Sequence, residues 1–138
     1  MCRFGERVNG VGGFINISRA TKKVIFVGTL TAGGLRVSFP GETLNIDSEG
    51  SVKKAVKQVG QISFSAKYAK IRKQEILYVT ERAVFELTEQ GIELKEIAPG
   101  IDMERDVLAQ MGFRPLISEK LKVMASGLFR KEIMGNYI

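Results

Sequence analysis

Gly10-Val11-Gly12-Gly13-Phe14-Ile15-Asn16 and, a short interval later, Val24-Ile25-Phe26-Val27-Gly28-Thr29-Leu30-Thr31-Ala32-Gly33-Gly34 decide how this chain reads. Three glycines in four positions let the backbone take positive φ and let another molecule approach main-chain N–H groups. Val24 to Val27 is a continuous β-branched and aromatic run, too short for a helix, and reads as a fully buried strand. A second small-residue segment, Gly28 to Gly34, opens beyond the C-terminal end of that strand, where ligands of α/β sheets sit. Two glycine-rich segments flanking one buried strand form a candidate site for an anion or a developing oxyanion. A tight turn with no ligand is the plainer reading of either segment alone.

Composition bounds what such a site does. At 138 residues and 44% apolar content the chain suits one compact domain with a sizeable core. It contains no histidine, which removes His-based triads and imidazole-dependent metal sites. Cys2 is the single cysteine, so an internal disulfide is ruled out and no structural zinc is expected. Met1 to Arg7 lacks the apolar stretch of a signal peptide, and no apolar run has membrane-spanning length, so a cytoplasmic location is expected. Lys and Arg exceed Asp and Glu by 21 to 15. The surplus suits an anionic partner, a phosphorylated cofactor or nucleic acid, or simply a solvated basic surface. The basic residues lack interleaved aromatics, which argues against a single-strand nucleic-acid platform.

Along the chain, residues 1–9 are polar and read as the tail of something larger. Phe14, Ile15 and Ile17 form a short apolar stretch, and Ser18 to Lys23 a polar connection. Leu35 to Phe39 and Thr43 to Asp47, joined by Pro40-Gly41, predict a hairpin. Ser48 to Ser51 is a turn, and Val52, Ala55, Val56 and Val59 have helical spacing. Ile62 to Ser65 alternates as a half-buried strand, and Lys67 to Gln74 is a basic, solvent-facing segment. Glu75–Thr80, Ala83–Leu87 and Ile92–Ile97 predict strands, the last two forming a hairpin around Thr88-Glu89-Gln90-Gly91 with one face wet. Ala98-Pro99-Gly100 breaks the pattern. Asp102 stands at an N-cap, predicting a helix from about Met103 to Met111 with Gly112 at C′. A last short helix begins at Ser118-Glu119-Lys120-Leu121, with a frayed or partner-bound tail from Ala125. No repeat or linker divides residues 1–138, so they read as a single unit.

Motif logic excludes several chemistries. A dinucleotide fingerprint needs glycine where Ile15 stands, and no Gly-Lys-Ser/Thr triplet follows the glycines to make a P-loop. Glu49, Glu81, Glu86 and Asp102 lie in turns, hairpins or caps where charge is expected on structural grounds.

Taken in order, Gly10-Val11-Gly12-Gly13-Phe14-Ile15-Asn16-Ile17, Lys22 to Phe26, Gly28 to Leu35, Val59 to Ser65, Leu77 to Phe85, Glu96 to Asp102 and Phe113 to Ser118 resemble the acyl-CoA:acetate/3-ketoacid CoA-transferases. The resemblance covers nearly the whole chain and falls on the last part of that family's C-terminal (β-type) half. It implies an α/β fold of CoA-transferase type, a mixed sheet with hairpins and short helices, of which residues 1–138 form an incomplete, partial domain. It also implies a covalent mechanism in short-chain fatty acid and ketone body metabolism. A glutamate attacks the acyl-CoA thioester to give an anhydride, CoA thiolate returns to form a glutamyl-CoA thioester, and the acceptor carboxylate resolves it.

By resemblance, Gly10, Val11, Gly12, Gly13, Phe14 and Asn16, with Gly33 and Gly34, provide oxyanion stabilisation and CoA binding. Coenzyme A enters as substrate, and no other cofactor or metal is implied. The partners implied are acyl-CoA and carboxylate substrates, the remaining CoA-transferase portion, and further copies of the chain; neither membrane nor nucleic acid is expected. The family's nucleophilic glutamate stands in a Ser-Glu-Asn-Gly or Glu-Gly-Gly motif upstream of the glycine loop. The nine residues before Gly10 contain no such motif. Ser48-Glu49-Gly50 imitates it after the loop, in a turn at a hairpin edge, where a structural role is expected. These features predict a CoA-transferase part that lacks its nucleophile and is inactive alone. A non-catalytic anion- or nucleic-acid-binding module is the alternative.

Overall fold

A computed structural model describes residues 3–4, 7–8, 12–57 and 66–130 of the protein. The organising element is a five-stranded mixed sheet in the order β11-β10-β9-β8-β3. Its strands are β3 (Lys23–Val27), β8 (Glu75–Val79), β9 (Ala83–Leu87), β10 (Ile92–Ile97) and β11 (Leu116–Val123). β3 and β8 run parallel, β8, β9 and β10 form an antiparallel meander, and β11 lies parallel to β10. The remaining strands are short pairs: β1 (Arg3–Phe4) with β2 (Arg7–Val8), β4 (Thr31–Ala32) with β7 (Val52–Lys53), and β5 (Arg36–Ser38) with β6 (Asn45–Ser48). Two short helices, α1 (Gly12–Ala20) and α2 (Ala66–Ile71), complete a mixed α/β architecture.

Side chains alternate across a sheet, so register decides which residues face the core. Tyr78 pairs with Phe85, and Phe85 with Leu94, placing these three on one face. On that face Phe85 and Leu94 join Leu30, Leu44, Val107 and Phe129 in a continuous buried cluster. The loops after β3, the β5–β6 hairpin and the segment from Ala98 to Met111 therefore close over one side of the sheet. On the opposite face Leu77 and Val79 lie beside Ile25 and Val27, while Glu86 and Glu93 oppose one another further along. Lys95 bridges those two carboxylates at 3.3 and 3.2 Å, which offsets their mutual repulsion.

Several elements differ from expectation, each for a physical reason. Gly12 to Ala20 is helical, where a loop, an apolar stretch and a polar connection are expected. Glycine and β-branched residues are weak helix formers, and packing compensates. Phe14 rests against Phe26 with ring centroids 5.9 Å apart, and Ser18, one turn later, is buried. At the C-terminus of α1, Gln74 donates its side-chain amide to the Ser18 and Thr21 carbonyls, satisfying helix-end acceptors. β3 is not fully buried: among the described residues it is the outer strand of the sheet, with Val24 and Phe26 partly covered and Ile25 and Val27 51% and 80% exposed. Val52 and Lys53 form a strand and the chain to residue 57 is not helical, since Gly112 N–H donates to the Ala55 carbonyl at 2.7 Å and pins an irregular backbone there. Val59 and the strand expected at Ile62–Ser65 lie outside the described residues.

The basic segment after Ser65 begins as α2, exposing Lys67 and Lys70 but burying Ala69. Asp102 caps as expected, accepting a bond from the Arg105 N–H at 2.8 Å. The helix it starts is a π-helical turn (Met103–Val107) followed by a 3-10 turn (Leu108–Gln110), rather than a regular α-helix to Met111. The helix expected from Ser118 is strand β11, because pairing with β10 supplies backbone bonds that a four-residue helical start could not. Of the tail from Ala125, expected to be frayed or partner-bound, Ser126–Phe129 forms a 3-10 turn that buries Phe129, its ring centroid 6.4 Å from that of Phe39, while residues 131–138 lie outside the described residues. The β8, β9 and β10 strands and the β5–β6 hairpin match expectation, the latter with both Gly41 and Glu42 at positive φ.

Truncating Leu94 to Ala should destabilise the chain by about 2–5 kcal/mol, since the side chain is wholly buried and leaves a cavity. Val27→Ser, on the open face, should change the stability of the isolated chain by less than about 0.5 kcal/mol. Urea midpoints of the two variants check the contrast.

Candidate active-site end of the sheet

A two-residue connection separates α1 from β3, and Phe14 at the start of the helix meets Phe26 near the end of the strand. The helix therefore runs antiparallel to β3 and returns its N-terminus to the strand's C-terminal end. Gly12 and Gly13 occupy the first turn of α1, where N–H groups have no intrahelical acceptor and the helix dipole favours negative charge. A Cβ built on Gly13 meets no atom within 4 Å, so the side-chain position there faces open space. Phe14 is about two-fifths exposed, and Asn16 is exposed one turn along. Gly10 and Val11 lie outside the described residues.

The second segment leaves β3 at the same end. Gly28 N–H donates to the Val79 carbonyl at 3.1 Å, extending the β3–β8 pairing by one bond. Gly33 and Gly34 take positive φ, 75° and 98°, as glycine permits. Gly33 is engaged within the protein: its carbonyl accepts from Ser51 N–H at 3.0 Å and from Ser51 Oγ at 3.1 Å. Gly34 faces open space. Gly12, Gly13 and the beginning of the second segment thus share one end of the sheet, whereas Gly33 is committed to the turn around Ser51.

Beside the second segment lies a cluster around Arg82, a residue that sequence reasoning did not single out. Arg82, in the turn between β8 and β9, is fully buried. Its Nη1 and Nη2 donate to Glu49 at 2.6 and 3.1 Å, its Nε to Glu81 at 2.6 Å, and Nη1 also to the Asp106 carbonyl at 2.9 Å. Glu81 in turn accepts the Leu30 N–H at 2.9 Å, tying the β8–β9 turn to the loop after β3. Glu49 further accepts from the Thr31 hydroxyl and from Gly50 N–H. Burial alone would raise the Glu49 pKa, but bonds from Arg82, Thr31 and Gly50 outweigh it and hold the carboxyl below its usual range. A carboxylate so occupied has its lone pairs engaged and its basicity reduced, which makes it a poor nucleophile. The Ser48-Glu49-Gly50 turn is thus a structural clamp.

The only sequence signal for this clamp is the adjacent Glu81-Arg82 pair between two apolar strands. Burial of Arg82 is not visible there, because its main acceptor, Glu49, comes from a remote turn. Three lysines of the basic surplus have acceptors within the protein: Lys53 donates to the Ala109 carbonyl, Lys54 to Thr29, and Lys23 to Glu75. No cluster of metal-ligating side chains occurs among the described residues. No described helix is long and apolar enough to cross a membrane.

No family model matches the sequence. It is 48% identical over 133 residues to the acetate CoA-transferase YdiF of Escherichia coli K12, spanning 96% of this chain and 25% of that protein. Against the caffeate CoA-transferase of Acetobacterium woodii it is 50% identical over 131 residues, spanning 95% of this chain and 25% of the relative. The fold superposes on a crystal structure of the E. coli O157:H7 acyl-CoA transferase YdiF, in thioester complex with CoA, with a TM-score of 0.91 at 48% identity. That superposition covers 96% of this chain and 26% of the other. This sequence and this mixed sheet match one part of the CoA-transferase family. The chain belongs to that family and spans about a quarter of the length of the relatives it matches.

Replacing Arg82 by Met leaves Glu49 and Glu81 partly buried without their cation, and should cost about 3–5 kcal/mol in urea unfolding. The pH dependence follows from Glu49 and from Asp106, whose bonds from Arg105 chiefly lower its pKa, against opposition from burial. Both groups have folded values below their unfolded ones. The stability they contribute is present above about pH 4.3 and is lost as pH falls through the folded values. Glu49→Gln should lower the melting temperature at neutral pH and flatten its decline in acid, as thermal scans across the acid range would record.

Proposed function

We propose that this chain serves in CoA transfer between an acyl-CoA and a short-chain carboxylic acid through a glutamyl-CoA intermediate. In this reading Gly10, Val11, Gly12, Gly13, Phe14 and Asn16, together with Gly33 and Gly34, supply the oxyanion and CoA side of the site. The nucleophilic glutamate comes from a CoA-transferase portion beyond these 138 residues, and the chain is inactive by itself. One observation carries the proposal: the open first turn of α1 sits at the C-terminal end of β3 in a chain about half identical to two CoA-transferases along nearly its whole length.

The chemistry is consistent with that geometry. Attack of a carboxylate on a thioester places negative charge on the former carbonyl oxygen, and free N–H groups at a helix start stabilise it by about 3–4 kcal/mol for a good donor. Gly13 leaves the approach to these groups unobstructed. Glu49, saturated by Arg82, Thr31 and Gly50, is poorly suited to attack, which supports a nucleophile from elsewhere.

The purified chain mixed with acetyl-CoA and a labelled short-chain carboxylate should give no exchange. Adding the complementary portion of a CoA-transferase should give steady turnover; turnover by the chain alone would refute the proposal. Gly13→Leu should leave the melting temperature nearly unchanged, because no atom crowds that position. The same variant should lower kcat of the complemented enzyme about 100-fold by obstructing the oxyanion donors.

A further inference from the structure

The positive surplus of the chain is gathered at one end of the sheet. Arg19, Lys22 and Lys23 lie where α1 gives way to β3, and Lys67, Lys70, Arg72 and Lys73 where α2 gives way to β8. The two strands start in register at Lys23 and Glu75. Gln74 fastens the two connections together: its side-chain amide donates to the Ser18 and Thr21 carbonyls at 2.9 and 2.5 Å, and its N–H to the Ala69 carbonyl at 2.9 Å. Glu75 N–H adds a bond to the Lys22 carbonyl at 2.9 Å. Both helix C-termini therefore meet here, at the opposite end of β3 from the Gly13 turn. All seven basic side chains are exposed. Two acids come near them: Glu75, paired with Lys23 at 2.6 Å, and Glu89, whose carbonyl accepts from Lys70 at 3.0 Å. Seven of the 21 basic residues and two of the 15 acids thus stand at this end, which leaves fourteen basic and thirteen acidic residues for the rest of the chain. Five of the six surplus charges belong to it. Residues 58–65, outside the described residues, contain no aspartate or glutamate and so bring no counter-charge. Helix dipoles favour cations at C-termini, but two termini carry only about one negative charge between them. An aliphatic side chain stands among the cations. Lys67, Lys70 and Ile71 are spaced i, i+3 and i+4 along α2 and share a face, on which Ile71 is 71% exposed, while Ala69 is buried.

We propose that this basic end docks peripherally on an anionic lipid surface, with the lysines and arginines over the headgroups and Ile71 inserted between them. The occupant is chosen by what the surface offers. A fixed row of phosphates, as in duplex DNA, is positioned by backbone N–H groups and helix N-termini as well as by cations, whereas both helices present carbonyls here. A fluid headgroup layer needs only the cations, and clusters of four to eight Lys and Arg are enough to hold anionic lipid. Long lysine stems reach around an aliphatic neighbour while their ammonium groups stay at the polar boundary, which gives the exposed Ile71 a place that a nucleic acid would not. A second copy of the chain is excluded as occupant, because its own basic end repels this one and its remaining charges nearly cancel. Such a contact lies on the bilayer and requires no spanning helix. It neither needs nor obstructs the proposed function, since the Gly13 turn stands at the other end of β3.

The full chain is mixed, at about 0.1 M salt, with vesicles of phosphatidylcholine alone or carrying about one-quarter phosphatidylglycerol, and binding is read by co-sedimentation. It should sediment with the anionic vesicles, stay in solution with the neutral ones, and be released as salt is raised. Lys22→Ala combined with Lys67→Ala should weaken binding about 25-fold, about fivefold for each charge removed, with circular dichroism unchanged. Lys120→Ala combined with Lys122→Ala on β11 removes the same charge and should bind as wild type. Equal weakening by the two pairs would show attraction to net charge alone and overturn the docking surface. The chain contains no tryptophan, so Ile71→Trp supplies a single reporter. Its emission should move to shorter wavelength on the anionic vesicles; bound chain with unshifted emission would overturn the inference. Should the Lys22 and Lys67 pair unfold the chain, the tryptophan shift decides alone. Binding to duplex DNA or polyglutamate with none to the vesicles would overturn the lipid surface as partner. Adding the complementary portion of a CoA-transferase should leave vesicle binding intact, and its loss would assign the basic end to contacts within a larger enzyme and overturn the inference.

Discussion

A guanidinium with no exposed surface can be kept charged only if acceptors surround it, and the rest of this fold is arranged to supply them. Arg82 collects Glu49 from the turn after β6, Glu81 from its own turn and the Asp106 carbonyl from the π-helical turn. Three segments distant in sequence are thereby drawn to one point. Through Glu81 and Leu30 N–H a fourth joins, the loop leaving β3. Removing the cation would strand carboxylates in a partly dry environment, so every segment it gathers is committed to its position. The cluster lies at the end of the sheet where β8 and β9 turn, which is also where the strand-to-loop transition after β3 occurs.

That commitment has a chemical consequence. Glu49 has the local sequence of a reactive carboxylate, Ser-Glu-Gly in a turn, and occupies a position from which reaction is discouraged. Its oxygens are filled by guanidinium, hydroxyl and backbone N–H, which favour the ionised form while removing its availability. The first turn of α1 is the reverse case, with donors present and the space in front of Gly13 empty. Acceptance and donation of charge are thus separated: one part of the sheet end is internally neutralised, and at the other a helix start presents donors with open space at the Gly13 side-chain position.

The sheet carries a comparable division between its two faces. Phe85 and Leu94 belong to a continuous core with Leu30, Val107 and Phe129, so that side is closed by the chain itself. The other side changes from Lys95-bridged carboxylates over β9 and β10 to bare aliphatic side chains over β3. Water accepts the first kind of surface readily and the second at a cost of about 25 cal/mol per Å². The chain thus combines a closed core on one face of the sheet with exposed aliphatic side chains on β3, and it matches a quarter of larger enzymes.

What the sequence determined by itself was mostly local. Alternation in Glu75–Val79, Ala83–Leu87 and Ile92–Ile97 marked three strands, Pro40-Gly41 marked a hairpin, and Asp102 marked a cap, because each pattern is contained within a few adjacent residues. The absence of histidine removed whole classes of chemistry, and the ordered motifs from Gly10 to Ser118 indicated the CoA-transferase family. Tertiary structure decided the rest. α1 and α2 are too short, and α1 too rich in glycine and β-branched residues, to be marked by propensity; contacts such as Phe14 with Phe26 and Gln74 with Ser18 favour them. β11 became a strand because β10 offered a partner, and Val27 is exposed on β3, the outer strand of the sheet among the described residues. The open helix start at Gly13 and the closed clamp at Glu49 have equally suggestive sequences. Only the folded chain distinguishes them, because the groups that occupy Glu49 come from Thr31 and Arg82, far from it in sequence.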